Sequence, residues 1–439
     1  MAKRTADDMY TVAETVPSEI PARTIDGYQW VEIIKYLDAD DLKSLRLASN
    51  KALRFHNPIF TSHLPLRMDL VPFFGKDTKY TANQMKLWLC KRKRLLIRGR
   101  TKIIQYPRVA SLIKAGFMNS ITDIEIANCS GYKYTIEHLA KLPNLKHLKL
   151  VDRYPYLERI DQKGKVYDIF VKETSEIVNS LADMTGLESL DIEFDCIVNG
   201  SHLSILQNMK CLRSLRLRGF DFSQGIEHIR HLTKLENLHL CHGNTYLSAN
   251  GLVPLDAFHS LTTNLENLKS IHIESMDSMP HDQIKPLTKF ESVTELTFKH
   301  CQGIKGEVLS SIGTMTQLRE LHFVYGIIDK FDDFESEDLV HLQNLKKLKV
   351  LTLMYVMIDQ YDLLDLEGMD ELETLNIGLV AEMTEKGFHI MLKTLLPLLP
   401  SLKKVRIFGS SPEDVQIRYQ DIDIDFCSCD YFDDMVDYR

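Results

Sequence analysis

Three histidines stand in one kind of setting, a polar residue between two large apolar ones: Leu238-His239-Leu240, Ile271-His272-Ile273 and Leu321-His322-Phe323. In an extended chain that alternation sends both apolar side chains to one face and the imidazole to the other. Imidazoles gathered on one face can ligate a metal or titrate near neutral pH. No carboxylate shares their setting, although Glu274 and Glu320 stand on neighbouring positions. The stronger expectation is a polar recognition surface, with no metal, cofactor or catalytic residue assigned. Cys427 and Cys429 are the one close cysteine pair, and a single pair cannot supply the four ligands of a structural zinc site. The chain carries no Gly-rich phosphate loop, HExxH or GxSxG string, so the sequence is read as a non-enzyme.

The histidine settings belong to a larger pattern. From position 121 a six-residue template recurs: apolar, two variable, apolar, one variable, apolar. Its copies begin at Ile121, Leu145, Leu187, Leu212, Leu235, Leu268, Val293, Leu318, Leu348, Leu372 and Leu402. These eleven copies follow one another at intervals of 23 to 42 residues, far too regularly for chance. The segments between them carry helical spacing, as in Ile136, Leu139 and Leu142, or Leu203, Leu206 and Met209, or Val308, Ile312 and Met315. Polar residues such as Ser201, Ser223 and Thr384 stand where helices would begin. Each unit is thus one strand and one helix. Stacked units predict an α/β leucine-rich-repeat solenoid, with a curved parallel sheet inside and helices outside.

The residue between the two inward positions then lines the concave face. Down the array it is Glu125, Lys149, Asp191, Arg216, His239, His272, Thr297, His322, Thr352, Asn376 and Arg406. Adjacent strands lie about 4.8 Å apart, so His239 and His272 should be neighbours. The binding candidates on this face are Lys149, Arg216, Arg218, His239, His272, His322, Tyr325 and Tyr355, all expected to stand out from the sheet. Aromatic side chains and arginine dominate binding hot spots. Cys129 and Cys301 occupy a turn position three residues after the template and are read as buried turn thiols.

Irregularities mark the ends and one insertion. A segment near Val151–Lys172, rich in charge and tyrosine, is expected to project as a loop or hairpin. Leu95–Ile97 and the helix-like Tyr106–Phe117 read as an opening half-unit. Gln416–Phe426 reads as a closing strand, with Tyr431–Tyr438 folding back over a basic part of the face that includes Arg406.

Residues 20–64 follow another rule. Trp30, Ile33, Ile34 and Leu37 mark one helix face, and Asp38–Asp41 breaks it. Leu42, Leu45 and Leu47 open a second helix, and a third segment closes at Asn57-Pro58-Ile59-Phe60. So few residues make a small core that needs a partner or the adjoining array.

On these residues the segment resembles the F-box family: the helix ending Ile33-Ile34-Lys35-Tyr36-Leu37, the run Asp41-Leu42 to Leu45-Arg46-Leu47-Ala48-Ser49, and the closing Asn57-Pro58-Ile59-Phe60. With the repeats that follow, nearly the whole chain is similar to F-box/leucine-rich-repeat proteins. The resemblance implies a small all-α trihelical module that binds a Skp-type adaptor, and through it a cullin–RING ubiquitin ligase, using Ile33, Ile34, Leu37, Leu42, Leu45 and Pro58. It implies that the repeats select a protein substrate. A rival expectation is a scaffold or inhibitor whose amino-terminal helices only cap the solenoid.

Composition narrows the field. No apolar run approaches the roughly 18 residues of a membrane helix, and no apolar core follows the charged start of the chain. Eight cysteines in 439 residues are too sparse for a disulfide scaffold, so a cytoplasmic or nuclear setting is expected. Residues 1–120 hold 21 Lys and Arg against 11 Asp and Glu, while the rest hold 32 against 50. The acidic array gives nucleic-acid binding no support, although Lys91–Lys102, with seven basic residues in twelve, suits a nuclear import signal or a solvated edge. The expected divisions are a flexible N-terminus (1–19), the helical module (20–64), a linker and N-terminal cap (65–120), the solenoid (121–412) and an acidic C-terminal cap and tail (413–439).

Overall fold

The computed structural model describes residues 66–67, 93–98, 113–127, 133–152, 165–242, 257–261, 264–276, 281–301, 304, 306–324, 336–354, 362–378, 392–408 and 422–427. All of these lie within one contact unit, Leu66–Arg439. The trihelical module, with Ile33, Ile34, Leu37, Leu42, Leu45 and Pro58, lies outside the described residues, as do Tyr325, Tyr355, Cys129 and the segment 428–439.

Every template copy forms a strand. The eleven are β3 (Asp123–Ala127), β4 (His147–Asp152), β5 (Ser189–Asn199), β6 (Ser214–Asp221), β7 (Asn237–Cys241), β8 (Ser270–Glu274), β9 (Glu295–Lys299), β10 (Glu320–Val324), β11 (Val350–Met354), β12 (Thr374–Gly378) and β13 (Lys404–Phe408). Two short strands, β1 (Leu66–Arg67) and β2 (Arg94–Arg98), precede them, and β14 (Asp423–Cys427) follows. All fourteen are parallel and lie side by side in sequence order. Leu95 and Leu96 are indeed strand residues, and the closing strand overlaps the expected 416–426 at residues 423–426 and runs on to Cys427, while 416–421 lie outside the described residues.

The periodicity explains the stack. The fourth and sixth template positions, for example Leu148 and Leu150 or Leu296 and Phe298, are buried in one continuous apolar core that runs the length of the sheet. A single unit has no way to cover such a stripe alone; its neighbours do so. At the start of each strand from β3 to β13, two consecutive amides converge on one carbonyl of the previous rung. Lys146 and His147 both donate to the Thr122 carbonyl, Glu188 and Ser189 to that of Lys146, and Lys403 and Lys404 to that of Glu373. Side chains add to this stitching: Asn144 Nδ2 donates to the Asn119 carbonyl, Asn267 Nδ2 to Thr233 and Gln317 Nε2 to Phe290. Cys301 is the expected turn thiol, fully buried, with its Sγ 3.4 Å from the carbonyls of Ile273 and Lys299.

Three expectations are corrected. The segments opposite the sheet are as often 3₁₀ as α: Gly200–Asn208, Ile226–His231, Lys285–Lys289, Ser336–Asn344 and Asp362–Leu366 are 3₁₀, whereas Lys133–Leu139 and Gly306–Ile312 are α. With about twenty-five residues per unit, a short tight helix spans the rung with fewer residues. The helix starts differ too. Asn199, not Ser201, caps the Gly200 segment, accepting from the Ser201 amide at 2.8 Å; the next segment starts at Ile226 after Gly225 with no side-chain cap, and Ser223 lies in the turn before it, its amide donating to Asp221 Oδ1. Finally, the second part of the insertion is no loop or hairpin. It opens a fifteen-residue α-helix, Lys165–Asn179, whose Thr174, Ile177 and Val178 are buried, with Leu181 just beyond it.

The fold also has a seam. β5 runs eleven residues and slips register against β6 between Glu193 and Val198. Phe194, Phe220 and Phe222 pack behind it, the first pair tilted at 6.0 Å between centroids and the second stacked at 6.4 Å. Gly200 and Gly225 then meet backbone to backbone: a Cβ on Gly225, whose φ is +81°, would stand 1.9 Å from the Gly200 oxygen. Among the described residues, no helix is long and apolar enough to cross a membrane.

Candidate functional site

The predicted polar row exists, in register, from one rung to the next. Glu125, Lys149, Asp191, Arg216, His239 and His272 pair successively across β3 to β8. Thr297, His322, Thr352, Asn376 and Arg406 continue it, and Asp425 of β14 adds a twelfth member. A second row two residues further along each strand shows the same face, with Glu193, Arg218, Cys241, Glu274 and Lys299 on β5 to β9.

The row is not the exposed fringe that alternation suggested. None of its members from Glu125 to Arg406 is exposed; Thr297, Thr352 and Asn376 are buried outright. The cause is rung spacing. Polar side chains about 4.8 Å apart cover one another and bond laterally. Changing Arg216, His239 or His272 therefore alters packing as well as surface.

At the first rungs the row is a charge ladder. Lys149 Nζ lies 3.0 Å from Asp191 Oδ2 and 2.8 Å from Glu193 Oε1, and Arg216 Nε is 3.9 Å from the same Glu193 oxygen. Burial pulls the Lys149 ammonium down, but Asp191 and Glu193 more than offset this and leave it above its usual range. Burial raises the Asp191 carboxyl despite Lys149 beside it. Hence the basic patch expected from Lys149, Arg216 and Arg218 is neutralised from within.

The middle rungs hold the histidines. His239 and His272 stack face to face, centroids 3.8 Å apart and planes 17° from parallel. His239 Nε2 is 3.1 Å from Glu274 Oε2, and Lys299 Nζ is 3.7 Å from Glu274 Oε1. Glu274 is buried, yet the His239 hydrogen bond and the Lys299 charge outweigh burial and hold its carboxyl far below the usual range. His272, by burial first and His239 second, is held well below its own. Its Nε2 is sealed from solvent and makes no hydrogen bond. Thus a carboxylate from the neighbouring row does reach the imidazoles. Two positions along one parallel strand face the same side, and that spacing was the available signal.

His322 stands apart from this pair, one rung beyond Thr297. Asn376 Nδ2 donates to Thr352 Oγ1 at 2.8 Å, and that hydroxyl meets His322 Nδ1 at 2.8 Å. The other ring nitrogen of His322, Nε2, lies 3.6 Å from Glu320 on the same strand. At the last rung Asp425 lies 2.6 Å from Lys404 and 3.9 Å from Arg406, so Arg406 already has an acidic neighbour on β14.

Strand order, register and this face define the chain as an α/β solenoid of the leucine-rich-repeat type. No protein-family model matches it, and no curated protein matches it in sequence. Among solved structures it is similar to the Rad7 and Elc1 complex in yeast, at 12% identity over 90% of each chain with a TM-score of 0.47. It is also similar to an internalin, InlF, from Listeria monocytogenes, at 17% identity over 68% of this chain and 93% of that one, with a TM-score of 0.29. The class rests on the strand order and register above, not on either likeness.

Proposed function

We propose that this protein is the substrate-recognition subunit of an SCF-type ubiquitin ligase. In this reading the segment 20–64 binds a Skp-type adaptor and the polar sheet face holds a protein substrate. The observation that carries the substrate half is the in-register row of polar side chains from Glu125 to Asp425, across twelve consecutive rungs of one face. Cross-rung bonds already fix many of these side chains, which lowers the entropy lost when a partner binds. The adaptor half is supported by the F-box-like residues alone. The chain itself performs no chemistry in this scheme. It raises the effective concentration of substrate near a charged ubiquitin-conjugating enzyme.

The test is a pull-down of the full chain with adaptor and cullin. Replacing Ile34 and Leu37 together by Asp should abolish adaptor capture, because unpaired charge in an interface core costs several kcal/mol. Substrate capture by the solenoid should persist. If the unmodified chain captures partners through its sheet face but never an adaptor, the scaffold or inhibitor reading replaces this one.

A further inference from the structure

His239, His272 and Glu274 have one potential ligand atom each within 4.8 Å of the others, on two adjacent rungs at the middle of the sheet. We propose that they form a binding site for a divalent transition-metal ion, with zinc as the type, leaving one coordination position directed at the polar face. Two imidazoles and a carboxylate make up the protein ligand set of open zinc sites. Imidazole selects such ions over magnesium and calcium, which take oxygen ligands.

The geometry is close to what an ion needs. With metal–ligand lengths of about 2.1 Å, donors 3.1 Å apart such as His239 Nε2 and Glu274 Oε2 subtend roughly 95° at a shared metal. The ion would take the place of the proton between them. His272 supplies the third donor by turning its ring out of the 3.8 Å stack, and its Nε2 has no hydrogen bond to surrender. Metal ligands must be deprotonated, so binding would release the proton held between His239 and Glu274.

The charged groups around the site set its strength and separate it from its rival. Lys299 on β9 faces Glu274, and Arg216 and Arg218 on β6 bear on His272 and Glu274 respectively. These cations oppose a metal and would favour an anion. Removing one therefore has opposite signs for the two occupants.

The experiment uses the full chain, stripped with chelator. Zinc is titrated by calorimetry, and cobalt by its visible ligand-field absorption. Expected are binding to the unmodified protein without a thiolate charge-transfer band, and a loss of about 100-fold in affinity for His272→Gln. That variant gives up the ring stack on His239 but breaks no hydrogen bond at Nε2, and circular dichroism checks that the strands persist. Lys299→Met should tighten the metal. No zinc binding, equal affinity in His272→Gln, or weaker metal binding in Lys299→Met overturns the site. So does a titration in which inorganic phosphate binds and Lys299→Met abolishes it. None of these readouts involves the adaptor, so the ligase reading stands or falls separately.

Discussion

Glu274→Gln is the sharpest probe of the face, since it keeps the side chain's shape and removes its charge. Glu274 and Lys299 face each other at 3.7 Å with side chains only 6% exposed. Deleting one partner of a pair this deeply buried costs up to about 3–5 kcal/mol. Lys299→Met should cost less, about 1 kcal/mol, because Glu274 keeps its His239 bond and Arg218 nearby. In the double variant no charge is stranded, so it should be more stable than Glu274→Gln alone, with a coupling of about 2 kcal/mol or more. Urea unfolding followed by circular dichroism, in chelator, measures all four corners of the cycle. A Glu274→Gln loss below about 1 kcal/mol, or strict additivity, would show that water reaches the pair. The pH dependence has a definite sign. The folded state depresses the Glu274 pKa, so its contribution is fully present above the ordinary carboxylate value of about 4.3 and disappears as pH falls below it. The unmodified protein and Glu274→Gln should converge in strong acid.

Other expectations follow from buried groups. Burial pushes the Cys301 thiol up to about 12 and the Cys196 thiol up to about 11, so neither should react with a disulfide reagent at pH 8 until the chain is unfolded. The same upward shifts mean that the contribution of these thiols is intact below their ordinary pKa near 9 and is lost as pH rises beyond it, which alkaline unfolding curves would record. Phe298→Ala should cost about 3–5 kcal/mol, since its ring is buried and lies parallel to Phe323 at 5.8 Å; a smaller loss in urea unfolding would mean that the stack closes over the cavity. Gly225→Ala should cost more than about 1 kcal/mol, because positive φ and the Gly200 oxygen both oppose a Cβ, and thermal unfolding would detect it.

Placement of the eleven template strands was legible because the template records two inward residues at a fixed separation, a constraint repeated in every unit; β1 at Leu66–Arg67 carries no copy of it and was not anticipated. The row of outward residues followed from the same arithmetic. What it could not reveal was lateral cover. Alternation along a strand says which way Thr352 points, but its complete burial comes from His322 and Asn376 on the rungs either side. The Lys149–Asp191–Glu193 ladder was hidden likewise, since its partners come from separate repeats more than forty residues apart. The Lys165–Asn179 helix was missed for a different reason. Its buried positions, Thr174, Ile177 and Val178, are correctly spaced for a helix, but they begin beyond the charged stretch at 151–172. The tyrosine candidates Tyr325 and Tyr355 fall just past the ends of β10 and β11, outside the described residues.

Because each strand hydrogen-bonds only to its neighbours in sequence, the stack can be laid down in the order of synthesis. Each new strand emerging from a ribosome finds its template already complete, and the loop it must close is one repeat long. Until the next strand arrives, however, the newest one presents a row of free amides and carbonyls to any other chain nearby. The final edge is the one that must endure. There, among the described strands, β14 alternates Asp423, Ile424 and Asp425, and its carboxylates are shared with Lys404 and, for Asp425, Arg406. Carboxylates at that last described step make it a poor seed for a second copy of the same array.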